Sequence, residues 1–230
     1  MTAAEALDRI RSFCRPASVA QIGGFRPPEN KDTSWFGSNF LGLPGEEWPQ
    51  GQSAPMNPLL QVRVDELPYC PLPLKDSQLV TVFYDSETVS TPVNNGDGWL
   101  IRTYPDIAAL KPLTAPPVGS DWPRLFPIKW ALVPDDAPEW ETSWSLDQEA
   151  MDIINAQDSG IDDYGDLPRC YRTKVGGWPT YIQGAPNLDS SDFVLQIASE
   201  EKPWWNLVDG GAIYIYCSPQ GQWQMHLDFF

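Results

Sequence analysis

The chain has 230 residues, 42% of them hydrophobic, with 11 tryptophans, 24 prolines and a net charge of −16 from 15 basic and 31 acidic side chains. That much apolar surface excludes disorder, and proline at about twice the ~5% of ordinary usage excludes an all-helical architecture, because proline breaks helix interiors. The negative charge opposes binding to nucleic acid or an anionic membrane and favours a basic protein partner.

The opening segment, MTAAEALDRIRSFCRP, is interrupted by Glu5, Asp8, Arg9 and Arg11, unlike the apolar core of a secretion signal. It reads as a helix from Ala3 to Cys14. Thr2 and Glu5 have capping-box spacing, Ala3, Leu7, Ile10 and Cys14 share a face, and Pro16 ends it. LLQVRV, from Leu59 to Val64, has the β-branched, partly alternating character of a strand. LVTVFY, Leu79 to Tyr84, is richer still in β-formers and reads as a central strand. NNGDG, Asn94 to Gly98, is a hairpin turn leading into the strand WLIRTY. PIKWALV, Pro127 to Val133, is another strand. A second helix is expected from Leu146 to Gln157, capped by Ser145 and Gln148 and stopped at Gly160. In the closing QWQMHLDFF, Trp223, Met225, Leu227 and Phe229 alternate with Gln222, Gln224, His226 and Asp228. This predicts a half-buried strand with one polar face.

One phrase occurs twice. LLQVRVDELP (Leu59 to Pro68) and VLQIASEEKP (Val194 to Pro203) both place Leu-Gln before an acidic pair and a proline. At a constant offset of 135, Gly42, Pro44, Leu60, Gln61, Glu66 and Pro68 meet Gly177, Pro179, Leu195, Gln196, Glu201 and Pro203. With a shift of two, DSQLVTVFY meets DGGAIYIYC (Asp209 to Cys217). The repetition predicts one compact domain over 1–230, with an internal duplication between 36–86 and 171–219. The fold class expected is α+β, predominantly β, with duplicated sheet units and few helices. Gln61 and Gln196, polar groups in apolar strands, are expected to be buried and satisfied.

Four short elements, TKVGGWP (Thr173 to Pro179), EWP (Glu47 to Pro49), LLQVRVDELP and LVTVFYD (Leu79 to Asp85), carry a likeness. In them the sequence resembles the YwqG-like bacterial domain of unknown function, over Trp35 to Phe230. SNFLGLP (Ser38 to Pro44) departs from the pattern by lacking its Lys and first Gly. The resemblance implies an α+β fold with duplicated sheet units and no settled activity.

Catalytic chemistry finds little footing. His226 is the single histidine, placed beside Asp228 on the polar face, and no GxSxG elbow or cysteine motif accompanies it. HExxH, P-loop and GxGxxG patterns are absent, and Pro179 follows Gly176-Gly177 too closely for an anion-cradling helix. The scattered Cys14, Cys70, Cys170 and Cys217 read as reduced thiols of a cytoplasmic protein. No catalytic residue, metal ligand or cofactor is therefore assigned.

Two acidic tracts remain, DDAPEWE (Asp135 to Glu141) and DSGIDDYGD (Asp158 to Asp166). The second lacks the spacing of a calcium loop. Both are expected as loops flanking the second helix. Together they would present Asp135, Asp136, Glu139, Glu141, Asp158, Asp162, Asp163 and Asp166 to a basic partner. The function expected is a non-catalytic interaction module, for instance a cytoplasmic immunity-type protein masking a basic toxin, with no nucleic acid or membrane partner. The alternative is a carbohydrate-binding or carbohydrate-processing protein, resting on Trp140 between Glu139 and Glu141 and on Trp204-Trp205 after Glu200-Glu201.

Overall fold

The structure, a computed structural model, describes residues 1–37, 39–88, 93–117, 122–156, 158–186 and 192–230. Helix α1 (Ala3–Arg11) starts as the capping box dictates: the Glu5 amide donates to Thr2 Oγ1 (3.3 Å) and the Thr2 amide to Glu5 Oε2 (2.7 Å). It ends at Arg11, and Phe13 and Cys14 close tighter turns onto the carbonyls of Ile10 and Arg11. In chain order the strands are β1 (Arg15–Ile22), β2 (Trp35–Phe36), β3 (Leu41–Gly42), β4 (Asn57–Arg63), β5 (Leu79–Tyr84), β6 (Val93–Asn94) and β7 (Trp99–Tyr104). They continue with β8 (Lys111–Pro112), β9 (Phe126–Asp136), β10 (Lys174–Gly176), β11 (Asp192–Ala198), β12 (Ala212–Cys217) and β13 (Trp223–Asp228).

Eleven of these form one antiparallel sheet in the order β6-β13-β12-β11-β10-β1-β9-β2-β4-β5-β7, nearly closed into a barrel; β3 and β8 make a separate ribbon. The fold is α+β and predominantly β. Its interior is lined from both sides of the central β1–β9 pair, by Leu60, Val62, Val82 and Trp99 on one side and Leu195, Ile213, Ile215 and Met225 on the other. β5 and β12 are buried along their whole length, as their β-rich sequences predict for central strands. Their outer sides are also covered, Phe83 by Phe40 and Trp48, and Tyr214 and Tyr216 by Tyr181.

The sheet follows one plan twice. On one side β10, β11, β12 and β13 succeed each other; on the other, β2, β4, β5 and β7 do. Leu60 faces Val82 and Leu195 faces Ile215, and the same irregularity, at Pro58/Leu60 and Phe193/Leu195, precedes each pair. The two glutamines are equally committed. Gln61 Oε1 accepts from the Leu41 amide (2.9 Å), and its Nε2 donates to the carbonyls of Lys31 and Thr33. Gln196 Oε1 accepts from the Thr180 amide (3.0 Å), and its Nε2 donates to the Arg172 carbonyl. Each fully buried amide thus ties a Leu-Gln strand to the segment around the neighbouring short strand, which removes the cost of burying it.

These bonds correct the register of the repeat before Leu60. Trp35 and Lys174 both face the glutamines, so the short strands match at an offset of 139 while the Leu-Gln strands match at 135. Gly37 (φ +92°) is thus the counterpart of Gly176 (φ +76°), and Gly42, paired with Lys111 in the ribbon, is no counterpart of Gly177. The longer first connection absorbs the difference, as surface loops do. The acidic partner shifts too: Glu66 accepts from the Ser34 amide, whereas Glu200, not Glu201, accepts from that of Thr173.

The NNGDG turn forms, but its strands are not neighbours. β6 pairs with β13 at one end of the sheet order, and β7 pairs with β5 at the other. Asn95 nonetheless reaches over to Ile101, accepting from its amide and donating to its carbonyl, and so draws the two ends together.

The expected second helix is three: α2 (Trp140–Leu146), α3 (Gln148–Asn155) and α4 (Asp158–Gly165). Gln157 lies outside the described residues. The cap is Asp147 rather than Ser145. Ser145 bonds back to the Glu141 carbonyl within α2, while Asp147 accepts from the Ala150 amide (3.1 Å) and pairs with Arg9 (2.6 Å). A carboxylate there satisfies both an orphan amide and a cation. Leu7, Ile10, Met151, Ile154 and Tyr164 form the core that joins α1 to this layer.

Candidate functional site

From Asp135 to Pro168 the chain carries eleven acidic side chains and no basic one, and this stretch builds the helical layer. Tyr164 of α4 pins the two acidic tracts together. Its hydroxyl donates to the Pro138 carbonyl (3.0 Å) and lies 3.0 Å from Ser143 Oγ, and its ring meets Trp140 edge-on at 4.9 Å. Arg169 lies over the same ring and donates to the Pro138 carbonyl as well. Asp135, Glu141, Asp162, Asp163 and Asp166 are exposed, and Glu139 is half-buried. Of Asp158 only the backbone is described, at the start of α4. The second tract is therefore a helix, not the loop its Gly and Asp content suggests.

Asp136 does not belong to this surface. It is fully buried at the end of β9, where its Oδ2 accepts from Lys174 Nζ (2.7 Å) and the Trp178 amide (2.8 Å), and its Oδ1 from the Cys170 amide (2.8 Å). The pair accounts for three residues of TKVGGWP (Lys174, Gly177 and Trp178), each set against Asp136. Thr173 Oγ1 accepts from the Ala198 amide, and Lys174 neutralises Asp136. At Gly177 (φ +74°) a Cβ would collide with Asp136 Oδ2. Trp178 donates its indole N–H to the Phe13 carbonyl (2.8 Å) beneath the Arg15 guanidinium. Burial pushes the Lys174 ammonium below the usual lysine range, and the charge of Asp136 opposes that shift. The motif is thus a clasp that locks β10 and the segment after it to β9 and to the turn that follows α1. A lone lysine ahead of Gly-Gly was the available sign of it.

Glu139 caps α2 without a side-chain hydrogen bond. Burial, and then the charge of Glu141, raise its carboxyl from 4.5 to about 7. A carboxyl raised on folding contributes stability that is full below its unfolded value and lost as pH rises through the folded one. Glu139→Gln should therefore gain stability relative to the parent between pH 4 and pH 8. The formal gain of ~3 kcal/mol shrinks to about 1 kcal/mol because solvent screens a half-exposed group. Urea unfolding at the two pH values measures it, and parallel shifts would contradict it.

His226 and Asp228 do not lie on an open polar face. Asp228 is 2% exposed and accepts from the amides of Ile182 (3.0 Å) and Gln183 (3.2 Å), with His226 Nε2 3.9 Å from its Oδ2. The ring of Tyr214 stacks on the imidazole and that of Tyr181 meets it edge-on, because the segment after Trp178 folds over this side of β13. Burial lowers the His226 pKa. The four cysteines are free, and burial pushes all four thiols up, away from the reactive thiolate. Among the described residues no group of three or more His, Cys, Asp or Glu side chains could hold a metal ion, and no helix is long and apolar enough to cross a membrane.

The tryptophans serve packing. Trp35, Trp48, Trp99, Trp178 and Trp205 are buried, and Trp140 packs in the helical core against Trp144. Trp204 is 71% exposed, but the Arg124 guanidinium stacks on its ring at 3.7 Å. No protein-family model matches the chain, and no curated protein matches it.

Proposed function

We propose that this protein acts by binding: a cytoplasmic, non-catalytic module of immunity type that docks a basic partner protein through its acidic helical layer. The supporting observation is the acidity of the layer's surface: no side chain from Asp135 to Pro168 is basic, and seven acidic ones (Asp135, Glu141, Glu149, Asp152, Asp162, Asp163, Asp166) stand exposed. Of these seven only Glu149 is ion-paired among the described residues, with Arg9 of α1. Tyr164 and Arg169 hold the two tracts against each other, so the field is presented on a rigid support. A field of one sign steers an oppositely charged partner and raises its association rate by ~10–10³. The likeness to the YwqG-like domain, carried by TKVGGWP, EWP, LLQVRVDELP and LVTVFYD, belongs to the same proposal.

The test is capture of partners from the native cell, followed by association kinetics at two salt concentrations. Changing Asp162, Asp163 and Asp166 to lysine should slow association at least ~10-fold at low salt. Raising salt should erase most of the difference, since exposed charges are screened within ~8 Å at physiological ionic strength. An acidic partner, or a rate indifferent to both changes, would eliminate the proposal.

A further inference from the structure

The opposite end of the β1–β9 pair has the opposite chemistry. There β1 finishes at Ile22 and β9 begins at Phe126, far from the Arg15–Asp136 end that bears the helices. Beside them opens a cavity of about 440 Å³, within the ~300–1,000 Å³ range of small-molecule sites. Its walls include Phe25, Arg26, Thr33, Glu66, Lys129 and Trp130. In a chain of net charge −16, neither Arg26 nor Lys129 has a carboxylate within 4.0 Å among the described residues. What sets these two apart is their place together on one cavity wall, where an anionic ligand would meet both.

The aromatic walls are held in place. Lys129 Nζ sits 4.5 Å from the centre of the Phe25 ring, and Trp130 Nε1 donates to Ser34 Oγ (2.9 Å). Glu66 also lines the cavity, and its carboxylate accepts from the Ser34 amide (3.0 Å). Burial raises its carboxyl above the usual range, in keeping with a sheltered position. Two cations suit a dianion, and fixed aromatic walls suit a planar ring.

We infer that this cavity binds a planar heteroaromatic ring bearing a phosphate, of the nucleoside monophosphate class, with Arg26 and Lys129 on the phosphate and Phe25 and Trp130 against the ring. The site is separate from the acidic layer and stands whether or not that layer docks a protein.

Isothermal titration calorimetry of the full chain at 150 mM salt tests it, with AMP as probe and adenosine and inorganic phosphate as separate arms. AMP should saturate one site, and each fragment should bind at least ~10-fold more weakly, since each satisfies one half of the cavity. Arg26→Ala with Lys129→Ala should weaken AMP at least ~10-fold. Both side chains are exposed, so the melting temperature should hold. Reversing Asp162, Asp163 and Asp166 should leave AMP affinity within about twofold, because that change lies beyond the ~8 Å screening length. Absence of saturable AMP binding at millimolar concentration would overturn the inference. So would unaltered affinity in the Arg26/Lys129 variant, or inorganic phosphate binding as tightly as AMP.

Discussion

Asp136→Ala is expected to destabilise the protein by about 3–5 kcal/mol, the cost of leaving one partner of a buried ion pair alone. Against a total domain stability of ~5–15 kcal/mol, that removes a large share of the margin. The substitution strands the Lys174 ammonium, which is fully buried, and also orphans the amides of Cys170 and Trp178. Lys174→Met should cost less, because Asp136 then keeps two backbone donors. The equivalent position on the other side of the sheet already holds an apolar ring, Trp35. Urea unfolding at pH 7 gives both values. If Asp136→Ala falls within ~1 kcal/mol of the parent, or if Lys174→Met is the costlier change, the clasp is misread.

Ending the chain at Gly221 should abolish cooperative folding. The lost segment contains β13, which pairs with β12 from Ala212–Asp228 to Cys217–Trp223 and offers β6 its only partner among the described strands. Met225 and Leu227 are buried in the barrel interior, worth ~1.5–3 kcal/mol each. Removing β13 would also expose β12, six consecutive buried residues, as an open edge prone to aggregation. Asp228 would leave as well, freeing the amides of Ile182 and Gln183 that hold the covering segment. A soluble truncated protein with a sharp thermal transition would contradict this account.

Local chemistry alone determined a good part of the molecule. Thr2 and Glu5 made a capping box because both bonds close within one turn. The β-branched runs at Leu59–Val64 and Leu79–Tyr84, and their later counterparts, became strands of matching pairing because composition and Leu-Gln spacing act over a few residues. Gln61 and Gln196 could be read as buried amides, since a polar group in an apolar strand must find partners.

Other features depended on residues far apart in the chain. Asp136 read as one more surface acid in DDAPEWE; only the fold brings Lys174, 38 positions away, to its carboxylate. DSGIDDYGD carries Gly and Asp, which favour turns, yet it is helical because Tyr164 gains a buried place against Trp140 and Pro138. Alternation along QWQMHLDFF marks two faces but cannot say that the segment after Trp178 covers the second, which buried Asp228. The NNGDG turn was legible, whereas the strands it serves were not, because pairing with β13 or β5 is a long-range choice made by the closing sheet. Periodicity reports on a residue's neighbours within a turn or two; burial, charge pairing and strand order are decided by what the rest of the chain brings alongside.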